Sequence, residues 1–163
     1  SLCSALEHFP EANIIITLPN ADCASRELIS QIREYAESRT RVGVYSSLGV
    51  RRYLSAIKAV DVVIGNSSSG LLEVPSFGKP TVNIGDRQKG RIKADSVIDC
   101  GESEHAIVAA IKRALSSDFQ QRLSGIKNPY GDGNAVRQIM SVLVNSDFSA
   151  LQRKSFNDIE FDL

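Results

Sequence analysis

Little in this sequence favours a metal, a disulfide or a polyanionic partner. Cysteine occurs only as Cys3, Cys23 and Cys100. An odd, widely spaced set without a CxxC pair reads as reduced, half-buried thiols, not as a disulfide framework or a zinc cage. His8 and His105 stand far apart with no second ligand at metal spacing, so no metal site is expected. Lys plus Arg and Asp plus Glu both number 19, which leaves nucleic acid nothing to attract it beyond a local basic patch. No apolar run approaches the roughly 20 residues that span a bilayer, and the opening residues lack the basic and apolar regions of a signal peptide. The default expectation is a cytoplasmic protein with no membrane or nucleic-acid partner. There is no repeat and no low-complexity tract.

What is present is alternation. Residues 13–18 read as a strand, 22–39 as an amphipathic helix, 41–45 as a strand and 51–60 as a second helix. A short strand at 96–99 and a helix over 103–115, capped by Ser103 with Ile107, Val108, Ile111 and Leu115 on one face, continue the pattern. Strands alternating with helices predict an α/β fold, a doubly wound, Rossmann-like parallel sheet with right-handed crossovers. The 42% hydrophobic and 23% charged content suits one globular domain with a real core.

The most informative stretch is DVVIGNSSSGLLEVPSFGKPTVN, from Asp61 to Asn83. Val62, Val63 and Ile64 suit a strand buried on both faces, and Gly65-Asn66 then turns the chain into Ser67, Ser68, Ser69 and Gly70. Any of the serines can cap a helix, and Glu73 falls where a carboxylate suits the positive end of the macrodipole. Gly78-Lys79-Pro80 ends that helix before a strand near Val82. The loop therefore sits at the carboxyl end of a parallel strand, where open α/β sheets bind ligands, and hydroxyls with free N–H groups there can cradle a phosphate. The same residues read equally well as a serine-rich cap with nothing bound.

These residues carry a resemblance. GNSSSG, LLEVPSFGKP and NIGDRQKGR, with LPNAD upstream and YGDGNAV downstream, are similar to the hydrolysing UDP-N-acetylglucosamine 2-epimerases of sialic-acid and related nonulosonic-acid biosynthesis. The likeness runs from about Ile14 to Val144. The non-hydrolysing 2-epimerases share the fold but differ at GDRQKGR and lack YGDGNAV. The resemblance implies the C-terminal, UDP-holding half of a two-domain GT-B architecture, with no cofactor. It implies that Ser67 and Ser68 bind the diphosphate, that Glu73 accepts from the ribose hydroxyls and that Asn20 lies near the nucleotide. Ser47, Leu48 and Gly49 would approach the uracil, with Tyr53 flanking the base. Arg87 in GDRQKGR is the natural phosphate partner, because a guanidinium offers a bidentate fork; Lys89 and Arg91 read as a solvated cluster or interdomain contacts.

The resemblance also implies a division of labour. The carboxylates and histidine that move protons in the family precede the segment matched here, and neither His8 nor His105 corresponds to that histidine, so no catalytic residue is assigned. The expected partners are UDP or UDP-N-acetylglucosamine, an N-terminal domain of the same protein and, when intact, further copies of itself. The related hydrolysing UDP-diacetylbacillosamine 2-epimerases, the corresponding half of a GT-B glycosyltransferase and a nucleotide-sensing domain without turnover are the alternatives.

The two ends fit that picture. The opening helix, residues 2–8, feeds the first strand without a strand before it, so the chain reads as an excerpt of a longer protein. Residues 1–146 are expected to form the nucleotide-binding domain. Residues 147–163 form a tail, helical at first, whose Phe148, Leu151, Phe156, Ile159 and Phe161 need a surface to cover and would pack across domains.

Overall fold

A computed structural model describes residues 1–19 and 25–149. The described chain divides into two units, Ser1–Tyr130 and Gly131 onward. In the first, α1 (Leu2–Leu6), β1 (Ile14–Thr17), α2 (Ser25–Glu37), β2 (Val42–Tyr45), α3 (Gly49–Ala59) and β3 (Val63–Gly65) follow the predicted order. Then come α4 (Ser69–Leu72), a 3₁₀ turn (Val74–Phe77), β4 (Thr81–Ile84), β5 (Val97–Cys100), α5 (Glu104–Leu115) and α6 (Ser117–Arg122). The second unit contains α7 (Ala135–Asn145).

Among the described residues every strand pairing is parallel, as the alternation predicts. The hydrogen bonds form two ladders, β1–β2 and β3–β4–β5. The register sets Ile64 beside Val82 and Val82 beside Ile98, so the β3 and β4 exits lie side by side. One core serves both ladders: Val82 and Ile98 meet Ile107 and Ile111 of α5, Phe119 of α6 and Leu6 of α1, while Ile14 of β1 and Ile64 of β3 pack against its margin. Ile107, Val108 and Ile111 are buried as their spacing predicts, but Leu115 is exposed and Ala110 and Ala114 take the inner positions. Ser103 caps α5 as expected, its Oγ accepting from the Ala106 N–H at 3.3 Å. Cys3 and Cys100 are free and half-buried; Cys23 lies outside the described residues.

The predicted helix after the serines is broken. Only a single turn forms before the 3₁₀ turn takes over. Pro75 has no N–H to offer the carbonyl of Leu71, so the α-helical ladder cannot continue past it. Gly78, at a φ of 61°, then closes the segment in the left-handed conformation.

Candidate anion-binding site at the exits of β3 and β4

Gly65 carries the chain out of β3 at a φ of 145°, a conformation that side chains with a Cβ rarely adopt. The chain then enters the serine turn. Ser67 is exposed, and its Oγ accepts from the Ser69 N–H at 3.4 Å. Ser68 occupies the helix start without a side-chain cap, so its hydroxyl is left for another partner. Among the described residues no acceptor is recorded for the N–H of Ser67 or Ser68. The turn is pressed onto β4: a Cβ at Gly70 would lie 2.6 Å from Thr81 Cγ2, and the buried Thr81 hydroxyl donates to the Gly70 carbonyl at 2.8 Å. Glycine is what permits that approach.

The loop after β4 closes on the same turn. Arg87 is exposed and brings Nη1 to 3.5 Å from Asn66 Oδ1. Gln88 is turned inward, 2% exposed, and its Nε2 donates to the Asn66 carbonyl at 2.8 Å. From the other side, the Tyr53 hydroxyl lies 2.5 Å from Ser69 Oγ. The fold thus gathers Ser67, Ser68, Tyr53 and Arg87 around one turn, with a guanidinium, hydroxyls and N–H groups offered at the carboxyl edge of the sheet. Such a set recognises an anion with several oxygens.

The remaining predicted residues are placed less tightly. Ser47, Leu48 and Gly49 lie where β2 passes into α3, with Ser47 Oγ accepting from the Gly49 N–H at 3.1 Å. Gly49 begins α3 two residues earlier than its sequence pattern suggested, which sets Tyr53 one helical turn further along the same face. Glu73 departs from the dipole reading. It ends α4 and begins the 3₁₀ turn, exposed to solvent, so its carboxylate faces no helix N-terminus of useful length. Asn20 lies outside the described residues. Lys89 and Arg91 are exposed, as a solvated cluster should be.

The sequence assigns Asn66 and Ser69 a turn and a cap but no place in the site, and it assigns Gln88 nothing. Asn66 and Ser69 sit inside the GNSSSG motif and could have been given one. Gln88 is flanked by Asp86, Arg87 and Lys89, and nothing in that polar run announces a buried amide. Behind the site, Asn128 supports α4 and the 3₁₀ turn, donating from Nδ2 to the Leu72 carbonyl and to Ser76 Oγ at 2.8 and 2.7 Å. On the neighbouring strand, burial pushes the Asp99 carboxyl up, but hydrogen bonds from Lys93 and Asn83 outweigh it and hold the group below its ordinary value. An open groove of about 450 Å³ between Lys93–Asp95 and Arg122–Pro129 contains none of the residues of the serine turn or the Arg87 loop. It lies toward the amino end of β5, away from the serine turn.

Residues 1–144 match the family described as UDP-N-acetylglucosamine 2-epimerase. The chain belongs to that family. It is 37% identical over 158 residues to the polysialic acid biosynthesis protein P7 of Escherichia coli, covering 96% of this chain and 40% of that protein. It is 34% identical over 161 residues to the GDP/UDP-N,N'-diacetylbacillosamine 2-epimerase (hydrolyzing) of Campylobacter jejuni, covering 98% of this chain and 41% of that enzyme. The chain therefore spans about 40% of the length of these relatives. Among solved structures, the UDP-GlcNAc 2-epimerase of Neisseria meningitidis bound to UDP-GlcNAc superposes with a TM-score of 0.69 at 20% identity, over 89% of this chain and 40% of that one. The S. aureus MnaA–UDP structure gives 0.73 at 18% identity, over 98% and 43%. At such identities these two establish the fold, the Rossmann-like half of a GT-B architecture. The family resemblance carried by GNSSSG and GDRQKGR is borne out. Among the described residues no group of three or more His, Cys, Asp or Glu is placed to hold a metal ion, and no helix is long and apolar enough to cross a membrane.

Proposed function

We propose that this chain is the UDP-binding half of a hydrolysing UDP-N-acetylglucosamine 2-epimerase. The observation that carries the reading is the convergence of Arg87 on the serine turn at adjacent strand exits, in a chain of this family. Ser67 and Ser68 would take the diphosphate through hydroxyls and N–H groups, and Arg87 would neutralise it. Glu73 would accept from the ribose hydroxyls, and Asn20 would lie near the nucleotide. The Ser47–Gly49 turn and Tyr53 would address the uracil, with the Tyr53 hydroxyl already engaged by Ser69 and its ring left for the base. The intact protein would expel UDP by anti elimination to a 2-acetamidoglucal and then add water to give N-acetylmannosamine. The acid and base for both steps would come from the preceding domain, so this chain alone is expected to turn nothing over. No cofactor enters the scheme. The tail beyond residue 146 would cross to that domain, and a homo-oligomer in the cytoplasm is the proposed working form.

The name of the Campylobacter relative supports a second reading of the sugar, in which the substrate carries a diacetamido-trideoxy ring. One experiment separates the two. The intact protein is incubated with each UDP-sugar, and NMR follows UDP release and the configuration at C2. Release of UDP with a free 2-epimer from N-acetylglucosamine supports the first reading; release only from the diacetamido sugar supports the second. Transfer to an acceptor without C2 inversion would make the chain half of a glycosyltransferase, and release from neither sugar would reject both epimerase readings.

A further inference from the structure

We infer that Gln88 is a positioning residue that couples the Arg87 loop to the serine turn, so that the two halves of the anion site move as one. This rests on the proposed UDP-binding reading of the site. A glutamine that is 2% exposed in a loop of charged residues needs a reason to be buried. Its Nε2 donates to the Asn66 carbonyl at 2.8 Å, while its Oε1 is buried without a partner among the described residues. The amide cannot usefully be turned over, because Oε1 would then face a carbonyl oxygen. The one hydrogen bond recorded for the Gln88 side chain among the described residues therefore fixes the backbone of Asn66, the residue immediately before Ser67. The next residue back along the loop is Arg87, whose guanidinium reaches the side chain of the same Asn66. Two contacts from consecutive residues of one loop meet the backbone and the side chain of one residue of the other. The buried contact sets the distance between the loops, and the exposed one only samples it. Nothing in this arrangement requires Gln88 to touch the ligand.

The test uses the intact protein with Gln88→Met, which keeps the volume and removes the donor, and Gln88→Glu, which sets a second acceptor against the Asn66 carbonyl. Calorimetry with UDP and uridine is combined with hydrogen exchange over residues 66–70 and 86–91. Losing one partner of a buried hydrogen bond should weaken UDP binding roughly tenfold, more for Glu than for Met, with uridine binding unchanged. In an Arg87→Ala background the same Gln88 substitutions should cost UDP less than half as much on a logarithmic scale, because the group they position has gone. Both segments should exchange faster together. Full additivity of the two substitutions, equal losses for UDP and uridine, or faster exchange confined to residues 86–91 would each overturn the coupling. Wild-type protein that binds uridine and UDP equally would reject the phosphate reading itself, whatever the exchange shows, and this role for Gln88 with it.

Discussion

The two ladders of the first unit are buried to different degrees, and the more apolar strand is not the better buried one: β1 reads IIIT and β4 TVNI. In β4, Thr81, Val82 and Asn83 are all buried, flanked by β3 and β5 and covered by α5 and α4. In β1 burial alternates, and Ile15 is 51% exposed. The difference falls along the proposed site. The serine turn and the Arg87 loop leave strands of the well-packed ladder, so their spacing is set by backbone that has little freedom to shift. The Ser47–Gly49 turn, proposed for the uracil, leaves the half-covered one. On the proposed assignment, the phosphate end is the pre-formed end, and the nucleoside end is the one that can still adjust on binding.

The largest effect that could break this contrast is on stability. Leu71 is fully buried beneath the serine turn. Leu71→Ala should cost about 2–5 kcal/mol, whereas Ile15→Ala at the half-exposed position should cost about 1 kcal/mol or less. Urea unfolding of the intact protein compares them directly. Similar losses at the two positions would mean that the outer face of β1 is covered in the intact protein, and the asymmetry would disappear.

Binding sharpens the comparison next. Arg87→Ala removes a charge-assisted contact from the phosphate end alone. It should weaken UDP by about 1.5–3 kcal/mol, roughly ten- to a hundred-fold, and leave uridine nearly untouched. Equal losses in calorimetry with the two ligands would show that Arg87 shapes the loop and does not hold phosphate.

How much of this was legible beforehand follows the same division. Helices with a clean stripe, such as Ile107–Ile111, can be read because burial leaves a period in the sequence; the run at Val62–Ile64 marks β3, one residue early, but that strand is half-buried and not buried on both faces. The site's location was readable too, since GNSSSG marks a strand exit. The serine start points to a longer helix than Pro75 allows, and the single turn that forms supplies no dipole for Glu73. Residues 117–122 form α6, too short to show a period, although Ser116 accepts from the Phe119 N–H at 3.3 Å in an ordinary capping arrangement. The inward turn of Gln88 depends on Asn66, 22 residues away in sequence, and no local pattern encodes that.

A smaller effect should come from Tyr53, which links α3 of the half-covered side to the serine turn. Tyr53→Phe deletes the hydroxyl contact with Ser69 and keeps the ring. A cost of about 0.5–1.5 kcal/mol in UDP affinity is expected, with uridine losing less. If uridine loses as much as UDP, the hydroxyl serves the base and not the turn.

The smallest effect concerns pH and the well-packed ladder alone. Lys93 and Asn83 hold Asp99 below its ordinary value despite the opposing effect of burial. A carboxyl with a depressed folded pKa binds protons less readily in the native state than in the unfolded one. Its contribution is therefore complete above the unfolded pKa and disappears as pH falls through the folded one. Asp99 is more than half exposed, with Lys93 Nζ 2.7 Å from Oδ2, so solvent screening limits the pair to about 1 kcal/mol or less. Asp99→Asn should lower stability slightly at neutral pH, and the gap from wild type should close below about pH 4, near the unfolded carboxyl value. Unfolding measured across that range decides the point. A gap that stays constant into acid would mean that the lost contribution was the geometry of the Asn83 contact, and that the charge on Asp99 does little for β4 and β5.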